Sequence, residues 1–192
     1  MKRIEEVYRE VLFQSIEKKN NSLTQSYLAK ALNMSLSIVN LALRPLRKMN
    51  AISVKQRSLD IIDKRKILYY WASTRNLEKD IIYKTRVEKP VRKIEAEMPS
   101  GIVYAAYSAY KFKFKEVPAD YSEVYVYSDD LEEIEKRFPK NNKTPNIFIL
   151  KKDGNMKEMT TAQIFVDLWN LKEWYARNFL KAMEEKLNGI LE

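Results

Sequence analysis

The chain has 192 residues, enough for one ordinary domain or two small ones, and its 45% hydrophobic and 32% charged content is that of a globular protein. It contains no Cys and no His, which removes disulfides, thiol nucleophiles, imidazole acid–base chemistry and zinc sites built from those residues. The net charge is +9, and all of the excess lies in Met1–Arg75, where fifteen Lys and Arg face six Asp and Glu; the remainder is balanced at twenty of each. An asymmetry of this kind is the electrostatic footprint of a polyanion-binding module beside a neutral one.

The N-terminal segment MKRIEEVYRE lacks a signal-peptide core, and there is no long apolar run, so the expected location is the cytoplasm. Ile4, Val7, Tyr8, Val11, Leu12 and Ile16 recur at helical spacing and predict one amphipathic helix, with Lys18 and Lys19 in its last turn and Asn20-Asn21 as its stop. Thr24 is a good N-cap for a second helix, with Tyr27, Leu28, Ala31 and Leu32 inward. After a turn at Asn33-Met34, Ser35 caps a third helix whose inner face is Val39, Leu43, Leu46 and Met49. Pro45 predicts a kink or an early end there. Residues 51–54 and 59–62 read as two short strands around the basic tip Lys55-Gln56-Arg57-Ser58. Two short helices about a tight turn, followed by a hairpin, predict a winged helix-turn-helix over residues 1–75.

That arrangement implies a DNA-reading geometry. With Val39 and Leu43 inward, Ser37, Asn40, Leu41 and Arg44 point outward, where Arg can pair with guanine and Asn with adenine in the major groove. Ser35 and the helix start suit a phosphate. Arg47, Lys48, Lys55 and Arg57, with Gln56 at the wing tip, complete the expected double-stranded-DNA set. The segment SLSIVNLALRPLRKMNAI, Ser35 to Ile52, resembles the recognition-helix-to-wing segment of archaeal and bacterial winged-helix regulators. A winged helix that binds only protein is the alternative for the same residues.

Lys64 to Thr74 reads as a helix burying Ile67, Leu68, Trp71 and Ala72, against the winged helix, at a domain joint or in a homodimer contact. Residues 76–192 are expected to form a second, α+β domain with a smaller sheet, ending in amphipathic helices. Its elements are a strand patch at 81–83, a helix at 91–98, a brief strand at 102–104 leading into a helix, a strand at 123–127, a helix at 131–138, a strand at 146–150, a turn at 151–155 and a returning strand at 156–159. Thr160 then caps a helix with Gln163 in the capping-box position, and a last helix runs from Leu171 to about Leu187. The tyrosines at 104, 107, 110, 121, 125 and 127 read as core or as a partner surface.

One constellation points to chemistry: Ser128-Asp129-Asp130 closes a strand downstream of a strand–helix unit containing Ser108, as in nucleotidyltransferase-like nucleotide-binding enzymes. Adjacent Asp residues on an extended chain point in different directions, and a simpler explanation is that Ser128 or Asp129 caps the following helix while Asp130, Glu132 and Glu133 favour its positive end. The chain is therefore read as a DNA-binding regulator without enzymatic activity, cofactor or metal.

IVYAAYSAYKF, VYVYSDD, NIFIL and TTAQIFVDLWN, followed by an amphipathic helix, resemble the C-terminal region of AbiEi-type antitoxins of type IV toxin–antitoxin systems. The resemblance is clearest at Ala162-Gln163-Ile164-Phe165-Val166-Asp167-Leu168. It implies a winged helix joined to an α+β domain, repression of the protein's own operon, and a nucleotidyltransferase-like toxin as partner.

Overall fold

A computed structural model describes residues 1–191 and shows a mixed α+β protein. Its two small sheets are ordered β1-β3-β2 and β4-β7-β6-β5. The chain divides into two compact units, one made of Met1–Arg75, Thr160–Val166 and the chain from Met183 on, the other of Asn76–Met159 and Asp167–Ala182. No helix among the described residues is long and apolar enough to cross a membrane.

In the first unit, α1 (Arg3–Ile16) buries Val7, Tyr8, Val11, Leu12 and Ile16, the stripe its sequence spacing predicts. It packs against α3 (Leu36–Lys48) and α4 (Lys64–Thr74), while α2 (Gln25–Ala31) packs on α3. The hairpin β2 (Ile52–Val54) and β3 (Leu59–Ile61) pairs antiparallel, with Ile52 opposite Ile61 and Val54 opposite Leu59. A third strand, β1 (Ser22–Leu23), lies on the other side of β3. Its two residues are too short a run to show strand periodicity, and only the pairing partner across the sheet defines it.

Three local expectations are corrected. The first helix ends at Ile16, and Lys19, at φ 58°, takes the left-handed turn that was expected of Asn20-Asn21. Ending there releases Ser22-Leu23 to pair with β3. Helix α3 runs unbroken through Pro45 to Lys48. Pro45 sits ten residues after the Ser35 cap, where burial of Val39, Ala42, Leu43 and Leu46 holds the helix against the loss of one backbone hydrogen bond. The expected 76–192 domain also loses part of its C-terminal end to the first unit. Residues Thr160–Val166 and those from Met183 on belong there because Phe165 packs edge-on against Tyr69 (5.5 Å between ring centres), Arg9 donates to Gln163 Oε1 (3.4 Å), and Tyr69 donates to Glu184 (3.1 Å). Glu17 accepts from both the backbone N–H (2.6 Å) and the hydroxyl (2.8 Å) of Thr161, placing a negative charge at the positive start of α8 (Thr161–Trp169).

In the second unit, β7 (Ile147–Lys151) lies between β4 (Ile81–Thr85), antiparallel to it, and β6 (Val124–Ser128), parallel to it; β5 (Val103–Ala105) closes the far edge beside β6. Strand alternation sends Val124 and Val126 to one face, into a core with Tyr83, Ile94, Ile134, Phe138, Ile147 and Ile149. Tyr125 and Tyr127 go to the other. There Tyr107, from α6 (Ala106–Phe114), contacts Tyr121, Tyr125, Tyr175 and Phe179 at ring-centre distances of 4.8–6.3 Å. The Tyr107 and Tyr125 hydroxyls donate to the two oxygens of Glu173 at 3.0 and 2.9 Å, and burial together with that carboxylate pushes both phenols well above their usual range. These tyrosines are packing residues with satisfied hydroxyls. Tyr127 donates to the buried Asp167 carboxylate (2.9 and 3.1 Å).

No strand returns at 156–159. Both edges of β7 are already occupied by β4 and β6, so its ladder has no place for a hairpin partner. The last helix, α9 (Ala176–Leu187), begins five residues later than expected, after an irregular stretch in which Trp174 is 76% exposed.

A buried ion pair joins the two ends of the N-terminal segment. Arg75, at the end of α4, donates to Glu5 on α1 at 2.7 Å, and both side chains are almost wholly buried. Removing one partner leaves an uncompensated charge inside. Arg75→Met is expected to lower stability by about 3–5 kcal/mol in urea denaturation, and the double substitution Glu5→Met/Arg75→Met to recover most of the loss.

Candidate nucleic-acid interface

The candidate site is built on two capped helices and the turn between them. The Thr24 hydroxyl accepts from the Tyr27 backbone N–H (2.9 Å) and the Ser35 hydroxyl from that of Ile38 (3.3 Å), so α2 and α3 start where their cap residues predict. Between them Asn33 turns through φ 47°, a conformation Asn tolerates better than most residues. Arg3, thirty residues away in sequence, holds the turn by donating to the carbonyls of Leu32 (3.3 Å) and Asn33 (2.7 Å). No local pattern marks Arg3 for this role; only its position at the start of α1 does.

Helix α3 buries Val39, Ala42, Leu43 and Leu46, each 0% exposed. At 3.6 residues per turn this forces the opposite side outward. Ser35, Ser37, Asn40, Leu41, Arg44 and Lys48 are all exposed. Arg44 and Lys48 make no side-chain hydrogen bond or ion pair among the described residues, so both cations are available. Arg47 is only half-exposed and is engaged: its Nη2 donates to the Asn40 side-chain oxygen and, at 3.4 Å, to the Asn40 carbonyl. The pairing of Asn40 with adenine, expected from its outward position, thus competes with an existing partner.

The hairpin tip is tied by the Lys55 N–H donating to the Ser58 carbonyl (2.8 Å). Gln56 and Arg57 are exposed at its end. Lys55 is exposed too, but its ammonium lies 2.8 Å from Asp60 on β3, and the Ser22 hydroxyl on β1 donates to the same carboxylate at 2.9 Å. Lys55, and then Ser22, hold the Asp60 carboxyl below its ordinary range. The tip therefore offers Arg57 as its unpaired cation, with Lys55 partly neutralised. Asp60 carries no sequence signal for this role, since its partners come from β1, nearly forty residues earlier, and from the hairpin tip.

The rival constellation does not assemble. Antiparallel pairing sets Ala105 opposite Tyr125 and Val103 opposite Tyr127, so Asp129 and Asp130 lie beyond the start of β5 while Ser108 lies beyond its end. Asp130, rather than Ser128 or Asp129, is the helix cap: its carboxylate accepts from the Glu133 N–H at 3.2 Å at the start of α7 (Leu131–Arg137), and Ser128 bonds to the Asp130 backbone. No group of three or more His, Cys, Asp and Glu among the described residues is placed to hold a metal ion.

Comparison of the chain with protein-family models, with curated proteins and with solved structures gives no match.

Because the Asp60 carboxyl is held low, its contact with Lys55 is fully made at and above the ordinary carboxylate range and is lost only as pH falls through the depressed value. Carboxyl NMR titration is expected to find Asp60 titrating below the ordinary aspartate value, and Lys55→Met to move it upward. An Asp60 curve unmoved by Lys55→Met would mean that the two groups do not interact in solution.

Proposed function

We propose that the first unit is a winged helix-turn-helix that binds double-stranded DNA sequence-specifically, with α3 in the major groove and the 55–58 tip as the wing against the backbone. The observation that carries this reading is the outward face of α3: a capped helix after a tight turn, displaying Ser37, Leu41, Arg44 and Lys48, with Arg44 and Lys48 unpaired. The location of the net charge of +9, all of it within Met1–Arg75, supports the same reading. Ser35 and the helix start suit a phosphate, while Arg57 and, less fully, Lys55 suit backbone contacts.

The physiological role that goes with this reading is transcriptional repression. The resemblance to AbiEi-type antitoxins makes the DNA upstream of the protein's own gene the first target to try, and a nucleotidyltransferase-like toxin the first protein partner. A catalytic role finds less support, since Asp129 and Asp130 lie at the other end of β5 from Ser108.

Fluorescence anisotropy with the upstream duplex and an unrelated one, across a salt series, tests the reading. The full chain is expected to bind both, the first more tightly, with affinity falling as salt rises. Arg44→Ala should cost roughly 1–3 kcal/mol on the preferred duplex and little on the other. Arg57→Ala should weaken both alike and reduce the salt slope by about one. Absence of binding in dilute buffer would refute the proposal.

A further inference from the structure

The second unit carries an open groove of about 590 Å³, a size that suits a small organic molecule. Arg92, from the start of α5 (Val91–Ala96), lines one side. Lys111 and Phe112 on α6 line another, with Lys115 at the left-handed cap of that helix (φ 60°). Val117 and Tyr121 come from the loop that follows.

Two of these side chains are braced from behind by Glu95, which is 5% exposed. One of its oxygens accepts from Lys111 Nζ and the other from the Tyr121 hydroxyl at 2.7 Å, so the Lys111 charge is matched inside the protein. The same ammonium lies over the rings of Phe112 and Tyr121, 4.8 and 5.9 Å from their centres. Phe112 also tilts against Tyr104 at 4.7 Å. The aromatic wall is therefore held in place before any ligand arrives, which lowers the ordering cost of binding.

The groups left open in the groove are chemically selective. Phe112 and Val117 remain 39% and 45% exposed, two large apolar side chains in one concavity. Arg92 and Lys115 are exposed and make no side-chain hydrogen bond or ion pair among the described residues. Two acids share the lining: Glu116, which accepts from the Tyr110 hydroxyl, and the exposed Asp120. With Lys111 answered by Glu95, two open cations stand beside two carboxylates. That balance gives a polyphosphate or a nucleic-acid strand no net attraction, and suits a single negative charge placed on the cations.

We propose that this groove binds a small aromatic monoanion, a carboxylate or sulfonate, with its rings against Phe112 and Val117 and its charge on Arg92 and Lys115. The site lies wholly within the second unit and stands independently of the DNA-binding reading.

The probe is 1-anilinonaphthalene-8-sulfonate, whose fluorescence rises on leaving water, titrated into the full chain. One site per chain is expected, with backbone amide NMR shifts concentrated at 91–92 and 111–121. Arg92→Gln and Lys115→Gln should each weaken binding about twofold to fivefold, the worth of one exposed ion pair. Asp120→Asn, which removes a repelling charge, should strengthen it. Val117→Asp, which puts a charge on the apolar wall, should abolish it. All four side chains are exposed, so circular dichroism should stay as in the parent. Arg44→Ala and Arg57→Ala, which remove cations of the first unit, should leave the affinity unchanged.

Affinity unmoved by Arg92→Gln and Lys115→Gln would overturn the assignment of an anion, even if Val117→Asp abolished binding. Shifts spread over the chain, or binding lost with Arg44→Ala or Arg57→Ala, would overturn the site itself. None of these results bears on DNA binding, which the duplex titrations decide separately.

Discussion

The candidate interface depends on one constraint: α3 can bury only one side. Val39, Ala42, Leu43 and Leu46 are removed from water by packing on α1 and α2, each buried Val or Leu worth about 1.5–3 kcal/mol. A one-residue rotation of the helix would expose part of that set, so its facing is set with several kcal/mol of preference. The displayed residues are what remains once that core is satisfied. Their exposure needs no separate stabilisation, and this frees a helix surface to carry function.

Long-range contacts hold the display in position. The caps at Thr24 and Ser35 define where the helices begin, but Arg3 pins the turn between them through carbonyls at Leu32 and Asn33. The short strand β1 gives the hairpin a third member, and the Asp60 carboxylate links all three strands by accepting from Ser22 on β1 and from Lys55 just beyond β2. The Glu5–Arg75 pair ties the beginning of the segment to its end. Each is a polar group satisfied by a partner distant in sequence. Such contacts contribute modestly to net stability, yet leaving either partner buried and unpaired costs more than the contact gains.

The polar residues of α8 illustrate how a motif can be structural. Gln163 and Asp167, four apart on one helix, are the residues on which the resemblance to AbiEi-type antitoxins rests most clearly. Both are fully buried, one accepting from Arg9 and the other from Tyr127. Buried polar side chains of this kind are restrained because a wrong residue leaves a donor or acceptor orphaned. The burial and bonding of Gln163 and Asp167 are accounted for within the fold, without a ligand.

From the sequence alone, periodicity and cap chemistry determined the α+β class, the stripe of α1, the starts of α2 and α3, the hairpin at 52–61, and the outward set Ser37, Asn40, Leu41 and Arg44, because each follows from interactions within about four residues. Tertiary structure alone decided the rest. It ended α1 early so that Ser22-Leu23 could join a sheet, and it filled both sides of β7 so that 156–159 could not become a strand. It also set Asp129 and Asp130 at the other end of β5 from Ser108, and turned the Asn40 oxygen toward Arg47. Strand partners and side-chain pairings are choices among residues far apart in the chain, and no local pattern carries the free energy that selects them.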